Sequence, residues 1–248
     1  MASTITNKVA LVTGGARRIG AAIAQRLHAG GFDVAIHCNA SRAEADALAS
    51  RLNAARDHSA HVLRADLAQF DRLPELVAQT VGRFGRLDVL VNNASSFFPT
   101  PVGTATPAQW DALFASNARA PLFLAQAAAP HLRATQGSIV NLIDIHAERP
   151  LRDHAVYLMA KGALLAGTRA LALDLAPEVR VNAVSPGAIL WPEDAASSER
   201  RDALLARTPL ARTGTADEIA EAVRWLVQDA TYCTGVVIDV DGGRSIAG

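Results

Sequence analysis

The residues most able to do chemistry are Tyr157 and Lys161, in the run Tyr157-Leu158-Met159-Ala160-Lys161. Residues four apart share one face of a helix. A free phenol titrates near pH ~10, too high for easy proton exchange near neutrality. A lysine ammonium one turn away favours the phenolate, so the spacing predicts a tyrosine lowered toward a useful general acid. Such pairs also arise by chance in helices, so the reading depends on what surrounds them.

Several further features surround the pair. Thr13-Gly14-Gly15-Ala16-Arg17-Arg18-Ile19-Gly20 joins an apolar run to a helical pattern. Glycines there permit a tight turn and close approach of backbone to a pyrophosphate, and the helix N-terminus offers free N–H groups. Arg18 adds a guanidinium where such a turn meets phosphate. An ordinary strand-to-helix turn is the plainer alternative. The second strand runs into His37-Cys38-Asn39-Ala40-Ser41-Arg42, which contains no carboxylate. NAD-preferring sites place an acid near this point for the ribose 2′-hydroxyl. Polar donors and arginines there favour a 2′-phosphate and hence NADPH; a solvated strand end is the alternative. Asp66 follows the third strand, as an acceptor for an adenine amino group or as a helix N-cap. Asn92-Asn93-Ala94, Asn117 and Pro186-Gly187 complete the set.

Elements of one kind of fold must position these residues. Short apolar runs alternate with helical patterns: strands at Val9–Val12, Phe32–His37, His61–Arg64, Leu87–Val91, Ser138–Leu142, Arg180–Val184 and Val236–Val240. Helices are expected at Ile19–Leu27, Ser41–Ala55 with Ser41 as N-cap, and Leu73–Phe84. Further ones are expected at Pro107–Phe114, Pro121–Leu132, about Leu151–Leu175 and Ala216–Val227. Runs without clean alternation suit strands buried on both faces, hence a parallel sheet in a doubly wound α/β fold of one Rossmann-type domain. Gly187–Leu210 is the least regular stretch, and is read as a substrate-covering segment or a surface connection.

Composition sets bounds. Half of the 248 residues are hydrophobic, and 24 Lys plus Arg balance 24 Asp plus Glu. A zero formal charge supplies no global field for nucleic acid or an anionic membrane. No apolar run is expected to approach the ~20 residues that span a bilayer. The N-terminus lacks the pattern of a signal peptide. Cys38 and Cys233 stand far apart without metal-ligand neighbours, and the seven histidines are scattered, so no metal site is expected. A reduced, cytoplasmic protein is the simplest expectation.

In order, TGGARRIG, Asp66, NNA, Asn117, YLMAK and PG resemble the short-chain dehydrogenase/reductase family over nearly the whole chain. The resemblance implies that Asn117, Tyr157 and Lys161 are catalytic, with a proton relay through Asn117 and Lys161. It also implies that Lys161 holds the nicotinamide ribose, that Pro186-Gly187 lies by the carboxamide, and that the assembly is a homotetramer. One departure matters. Where the family usually has a serine, about thirteen residues before the tyrosine, Asp144 stands. An ionised carboxylate cannot donate to a developing oxyanion and would repel it. It suits a substrate with amino donors, or a C=N nitrogen that needs a proton; a turn-capping role in an altered site is the alternative.

Together with Asn92-Asn93-Ala94-Ser95-Ser96-Phe97-Phe98-Pro99-Thr100 and Asp144-Ile145-His146, the turn and the Tyr–Lys pair are similar to the pteridine reductases within that family. The loop after Gly187 looks like that of the bacterial members. By this resemblance, Phe97 and a nicotinamide would sandwich a pterin ring, with Arg18, Ser95, Asp144 and Tyr157 on its polar atoms. A core role is the alternative for Phe97, since Phe98 must face elsewhere. The expected cofactor contacts are Gly14, Arg18, Ile19, Gly20, His37, Asn39, Ser41, Asp66, Leu67, Asn93, Ala94, Ser95, Tyr157, Lys161, Pro186 and Gly187. His146, Arg149 and His154 are read as structural. The expected activity is NADPH-dependent reduction of a dihydropterin such as dihydrobiopterin or dihydromonapterin, with dihydrofolate weaker. A carbonyl reductase and a non-catalytic nucleotide-binding protein are the rivals.

Overall fold

The computed structural model describes residues 7–189 and 198–247. Val9 and Leu11 face one side of the first strand and Ala10 and Val12 the other, and all four are buried. This two-sided burial produces the unbroken apolar run and requires helices on both faces. The strands are β1 (Val9–Val12), β2 (Asp33–Cys38), β3 (Ala60–Arg64), β4 (Val89–Asn92), β5 (Ser138–Leu142), β6 (Arg180–Pro186) and β7 (Val237–Val240). They form one seven-stranded sheet in the order β3-β2-β1-β4-β5-β6-β7, parallel at every pairing. The strand order reverses between β1 and β4, and the cleft beyond their C-terminal ends is where such sheets bind ligands. The architecture is the expected Rossmann-type α/β fold.

One face of the sheet is covered by α1 (Arg18–Ala29), α2 (Arg42–Ala55) and α8 (Ala216–Gln228), through Ile23, Leu27, Leu48, Val223 and Leu226. Helices α3 (Arg72–Phe84), α5 (Ala120–Thr135) and α6 (Ala155–Asp174) cover the other, through Leu73, Leu76, Leu124, Leu132 and Ala172. Each fully buried Leu or Ile stabilises the fold by about 1.5–3 kcal/mol relative to exposure. Helix α4 (Pro107–Phe114) begins with a capping box between Thr106 and Gln109, and α8 with one between Thr215 and Glu218.

Four local features differ from the sequence reading. Helix α6 starts at Ala155, after Asp153 at φ +60° and His154 at the N-cap. A π-helical turn, Ala115–Arg119, links α4 to α5 and carries Asn117. Helix α7 (Ser198–Ala206) lies inside the stretch expected to be irregular; Leu190, Trp191 and Pro192 lie outside the described residues. By length and composition α6 is apolar enough to cross a membrane, contrary to the expectation that no such run exists. In the fold it packs on β6 and buries Lys161 and Thr168, as a core helix does.

Candidate active site

The glycine turn is locked to the end of β4. Gly14 sits at φ +60°, a conformation that favours glycine. A Cβ on Gly20 would lie 2.1 Å from the Gly14 carbonyl oxygen, so the first turn of α1 packs directly on the loop. Asn93 Nδ2 donates to the carbonyls of Thr13 (2.9 Å) and Gly14 (3.1 Å). The Thr13 hydroxyl oxygen accepts from the N–H groups of Asn93 (2.9 Å) and Ala94 (3.1 Å). Asn93 and Ala94 thus shape the turn as well as line the cleft. Thr13 was not singled out in the sequence, although a threonine opening a glycine turn was a visible signal.

His37 lines the same cleft, yet both ring nitrogens are engaged. Nδ1 accepts from the Gly14 N–H at 3.1 Å, and Nε2 donates to the Ala65 carbonyl at 3.1 Å. Burial pushes its pKa below the ordinary histidine value, consistent with the neutral ring this pattern requires. Asn39 is exposed and Ser41 half-buried at the rim. Ser41 occupies the N-cap of α2 without a side-chain capping bond, which leaves its hydroxyl available. Arg42 is tied to Asp46 by two bonds of 2.9 and 2.8 Å, and Arg64 Nε donates to the Asn39 carbonyl at 3.1 Å. Asp66 Oδ1 accepts from the Ala68 N–H at 2.9 Å. It is not the α3 N-cap, a position held by Asp71. Leu67 is buried beside it, and Arg18 and Ile19 border the turn.

Tyr157 and Asp144 meet across the gap between α6 and the end of β5. The Tyr157 hydroxyl donates to Asp144 Oδ2 at 2.7 Å, while Asp144 Oδ1 accepts from the His146 N–H at 2.9 Å. Asp144 therefore caps the short 3₁₀ turn Ile145–Ala147 and also holds the phenol. Lys161 is buried on the same helix face, and its Nζ donates to the Leu142 carbonyl at 2.8 Å. Burial pushes Lys161 down to about 8, against a smaller upward pull from Asp144. The expectation that Lys161 lowers Tyr157 is not met. Burial raises Tyr157 above the ordinary phenol value, and the charge and hydrogen bond of Asp144 raise it further; Ser95 offsets this only in part. The phenol is thus a firmly held proton donor.

Asn117 is fully buried in the π turn. Its Nδ2 donates to the carbonyls of Ser96 (2.9 Å) and Leu113 (3.0 Å), and its Oδ1 accepts from the Ser95 hydroxyl at 2.7 Å. These bonds fix the loop that carries Ser95 and Phe97; among the described residues Asn117 makes no hydrogen bond to Tyr157 or Lys161. Phe97 is 56% exposed, its ring centroid 4.9 Å from that of Tyr157 in an edge-on contact. Its neighbour Phe98 turns inward onto Leu113 and Val156. His154 stacks on Phe97 at 4.6 Å and 14°, a contact the sequence reading had not foreseen. His146 Nδ1 bonds the Arg149 carbonyl at 2.8 Å, a structural contact. Pro186 ends β6, and Gly187 passes so close to Asp241 that a Cβ would lie 2.7 Å from it.

The glycine turn, His37, Asn39, Ser41, Asp66, Asn93 to Phe97, Asp144, Tyr157, Lys161 and Pro186-Gly187 border one continuous cleft of about 1190 Å³, behind whose wall Asn117 is buried; the cleft also takes in Arg244 after β7, a residue not singled out in the sequence. Pockets for single small ligands run to roughly 1,000 Å³. A glycine turn open at a helix N-terminus, two carboxylate-free donors at the end of β2 and a proton donor deeper in the cleft fit a dinucleotide beside a second, smaller ligand. Fold and site together define a nicotinamide-dependent oxidoreductase of the Rossmann class. The family profile described as "Enoyl-(Acyl carrier protein) reductase" matches residues 14–245, and the chain belongs to the short-chain dehydrogenase/reductase family. It is 40% identical to Pteridine reductase 1 of Leishmania tarentolae, with 99% of each chain covered. It is 38% identical to L-fucose dehydrogenase of Mus musculus, covering 97% of this chain and 89% of that one. It is 34% identical to a 3-oxoacyl-[acyl-carrier-protein] reductase of Staphylococcus aureus, covering 95% and 97%.

Proposed function

We propose that this protein reduces a dihydropterin to the tetrahydro form with NADPH. The observation that carries this reading is the 2.7 Å bond from the Tyr157 hydroxyl to Asp144, beside the open ring of Phe97. The Asp144 carboxyl group, in place of a hydroxyl donor, suits an oxyanion poorly, as a carbonyl reduction would develop, and would accept hydrogen bonds from ring amino groups. Phe97 offers an aromatic face to a planar heterocycle. The similarity to Pteridine reductase 1 over the full length supports the same substrate class. At the other end of the cleft, Asn39 and Ser41 would meet a 2′-phosphate, with no carboxylate between His37 and Arg42.

When bound, the nicotinamide supplies a hydride to a ring carbon. This chain supplies the matching proton: the Tyr157 hydroxyl releases it to a ring nitrogen, and Lys161, held on the Leu142 carbonyl, would carry the nicotinamide ribose. Asp144, already accepting from that hydroxyl, orients it and passes the replacement proton from solvent. Ser95 and Arg18 hold polar edges of the ring and of the cofactor.

The test follows NADPH oxidation with dihydrobiopterin and, in parallel, with an acetoacetyl thioester. Tyr157→Phe is expected to cost roughly 100-fold or more in kcat, the usual weight of a positioned acid. Asp144→Ser is expected to cut turnover of the pterin. Full activity in Tyr157→Phe rejects the mechanism, and turnover of the thioester in preference to the pterin rejects the substrate.

A further inference from the structure

The charges along the cleft are unevenly used. Arg17 and Arg18 flank the glycine turn, Lys161 stands under Tyr157, and the acids are Asp66 near β3 and Asp144 at the end of β5. Each has a task in the reading above or a partner of its own: Arg17 pairs with Glu44 at 3.5 Å, and Asp66 closes its own turn. Arg244 does not fit this division. It is half-buried, it lines the cleft, and its guanidinium has no ion pair or hydrogen bond among the described residues.

Its place in the fold says which ligand it faces. Arg244 follows β7, and the order β2-β1-β4-β5-β6-β7 sets it five strand spacings from β2, or about 24 Å from the end that meets a 2′-phosphate. Strand β7 itself lies two spacings, about 10 Å, beyond β5, whose end leads into Asp144. Seen from β2, Arg244 thus follows a strand beyond the one that leads into Asp144, the side that the pterin reading leaves for a substrate's tail.

The backbone there is fixed. Gly242 and Gly243 take φ values of +67° and +86° and pack on Thr208 and Pro209. The Arg244 N–H donates to the Asp241 carbonyl at 3.3 Å. Asp241 is the nearest acid in sequence, but its carboxylate accepts from the N–H groups of Gly243 (2.8 Å) and Ser245 (2.6 Å). The cleft lining also includes the apolar Ile189 and Leu204, and Leu204 is joined to this turn through Thr208, which bonds the Leu204 carbonyl and packs on Gly242. A cation held against such a wall, away from bulk water on one side, binds an anion more strongly than one on an open surface. The planar guanidinium fork matches a carboxylate through two parallel bonds.

We propose that Arg244 forms an anion subsite that selects pterins whose tail carries a carboxylate over those with an uncharged tail. This rests on the pterin reading and refines its substrate class. The apolar wall would carry a linking ring or chain, and the guanidinium the terminal charge.

The experiment compares two substrates with the full chain and NADPH: dihydrofolate, whose tail bears carboxylates, and dihydrobiopterin, whose tail does not. The readout is the ratio of kcat/KM for the two, so loss of folded enzyme cancels. Arg244→Gln is expected to lower the dihydrofolate-to-dihydrobiopterin ratio about tenfold through KM, the scale of one charge-assisted contact. Arg244→Glu should lower it further, and Arg244→Lys, which keeps the charge but not the fork, should keep only part of it. Rising salt should erode the ratio in the wild type and leave Arg244→Gln flat. A ratio within twofold of wild type in both Gln and Glu variants overturns the subsite while the pterin reading stands. So does a wild type that reduces dihydrobiopterin but not dihydrofolate. A wild type inactive on both pterins overturns the pterin reading and the subsite with it.

Discussion

At the scale of single residues, the site turns on where one proton is kept. The sequence places a lysine one turn from Tyr157, which argues for a lowered phenol. In the fold, Lys161 gives its N–H to Leu142, while Asp144, thirteen residues away in sequence, closes onto the hydroxyl. Spacing along a helix reveals which side chains are neighbours, but not how deeply the phenol is buried or which charge it meets first. The pH profile of the enzyme should carry the consequence. Lys161 is held at about 8, so it loses its charge as pH rises through that value, and kcat/KM should fall there. The Asp144 carboxylate pulls Lys161 upward, so Asp144→Asn should leave Lys161 lower and move the alkaline limb to lower pH. An unmoved limb would show that another group sets it. Phe97 gives a second residue-level test. His154 covers one face of its ring, so a planar ligand has only the other. His154→Ala should raise KM for dihydrobiopterin roughly three- to tenfold, the weight of one aromatic contact, with kcat little changed. His154→Phe should restore it. Equal KM values in the Ala variant and the wild type would mean that the platform holds itself.

At the scale of elements, what could be read in advance was whatever has a repeating physical cause. Strands β1 to β6 and helices α1, α3 and α8 follow from two-sided burial and helical periodicity. The π turn has no such signature, since one extra residue in a helix alters hydrogen bonding without altering composition, and it is this turn that sets Asn117 under Ser95. Helix α7 escaped because its Ser-Glu-Arg-Arg-Asp start carries no apolar face. The role of Gly20 was legible as a motif but not as a contact. Gly20→Ala must push a methyl against the Gly14 carbonyl, and since both partners are backbone the loop itself has to move. We expect a loss of about 1–3 kcal/mol, the usual cost of overpacking, together with weakened NADPH binding. Gly82, in α3, supplies the control. It is exposed, with nothing within 4 Å of an added Cβ, so Gly82→Ala should be neutral or stabilise by about 0.5–1 kcal/mol. Urea denaturation of the two variants, with unchanged m-values, separates a true packing clash from a general intolerance of substitution.

At the scale of the whole molecule, charge balance makes cofactor choice a local matter. With 24 basic and 24 acidic residues, no net field favours an anion, so discrimination between NADPH and NADH must come from the few groups around the end of β2. Two arginines beside this strand end are already occupied, Arg42 by Asp46 and Arg64 at its Nε by the Asn39 carbonyl. What remains in the open is the side chain of Asn39, the hydroxyl of Ser41 and the outer nitrogens of Arg64, with no carboxylate between His37 and Arg42. The proposed preference for a 2′-phosphate should therefore rest on polar donors and the lack of an acid more than on a dedicated ion pair. It follows that placing a single negative charge there should reverse it. Asn39→Asp repels a 2′-phosphate and accepts from a 2′-hydroxyl, and the NADPH-to-NADH ratio of kcat/KM should drop by roughly tenfold or more, while kcat with saturating NADH stays close to wild type. Arg64→Ala should lower the same ratio by less, roughly threefold, because its Nε is spent on backbone. If Arg64→Ala instead abolishes the preference and Asn39→Asp leaves it intact, the selection is made by one cation, and the open polar rim plays no part in it.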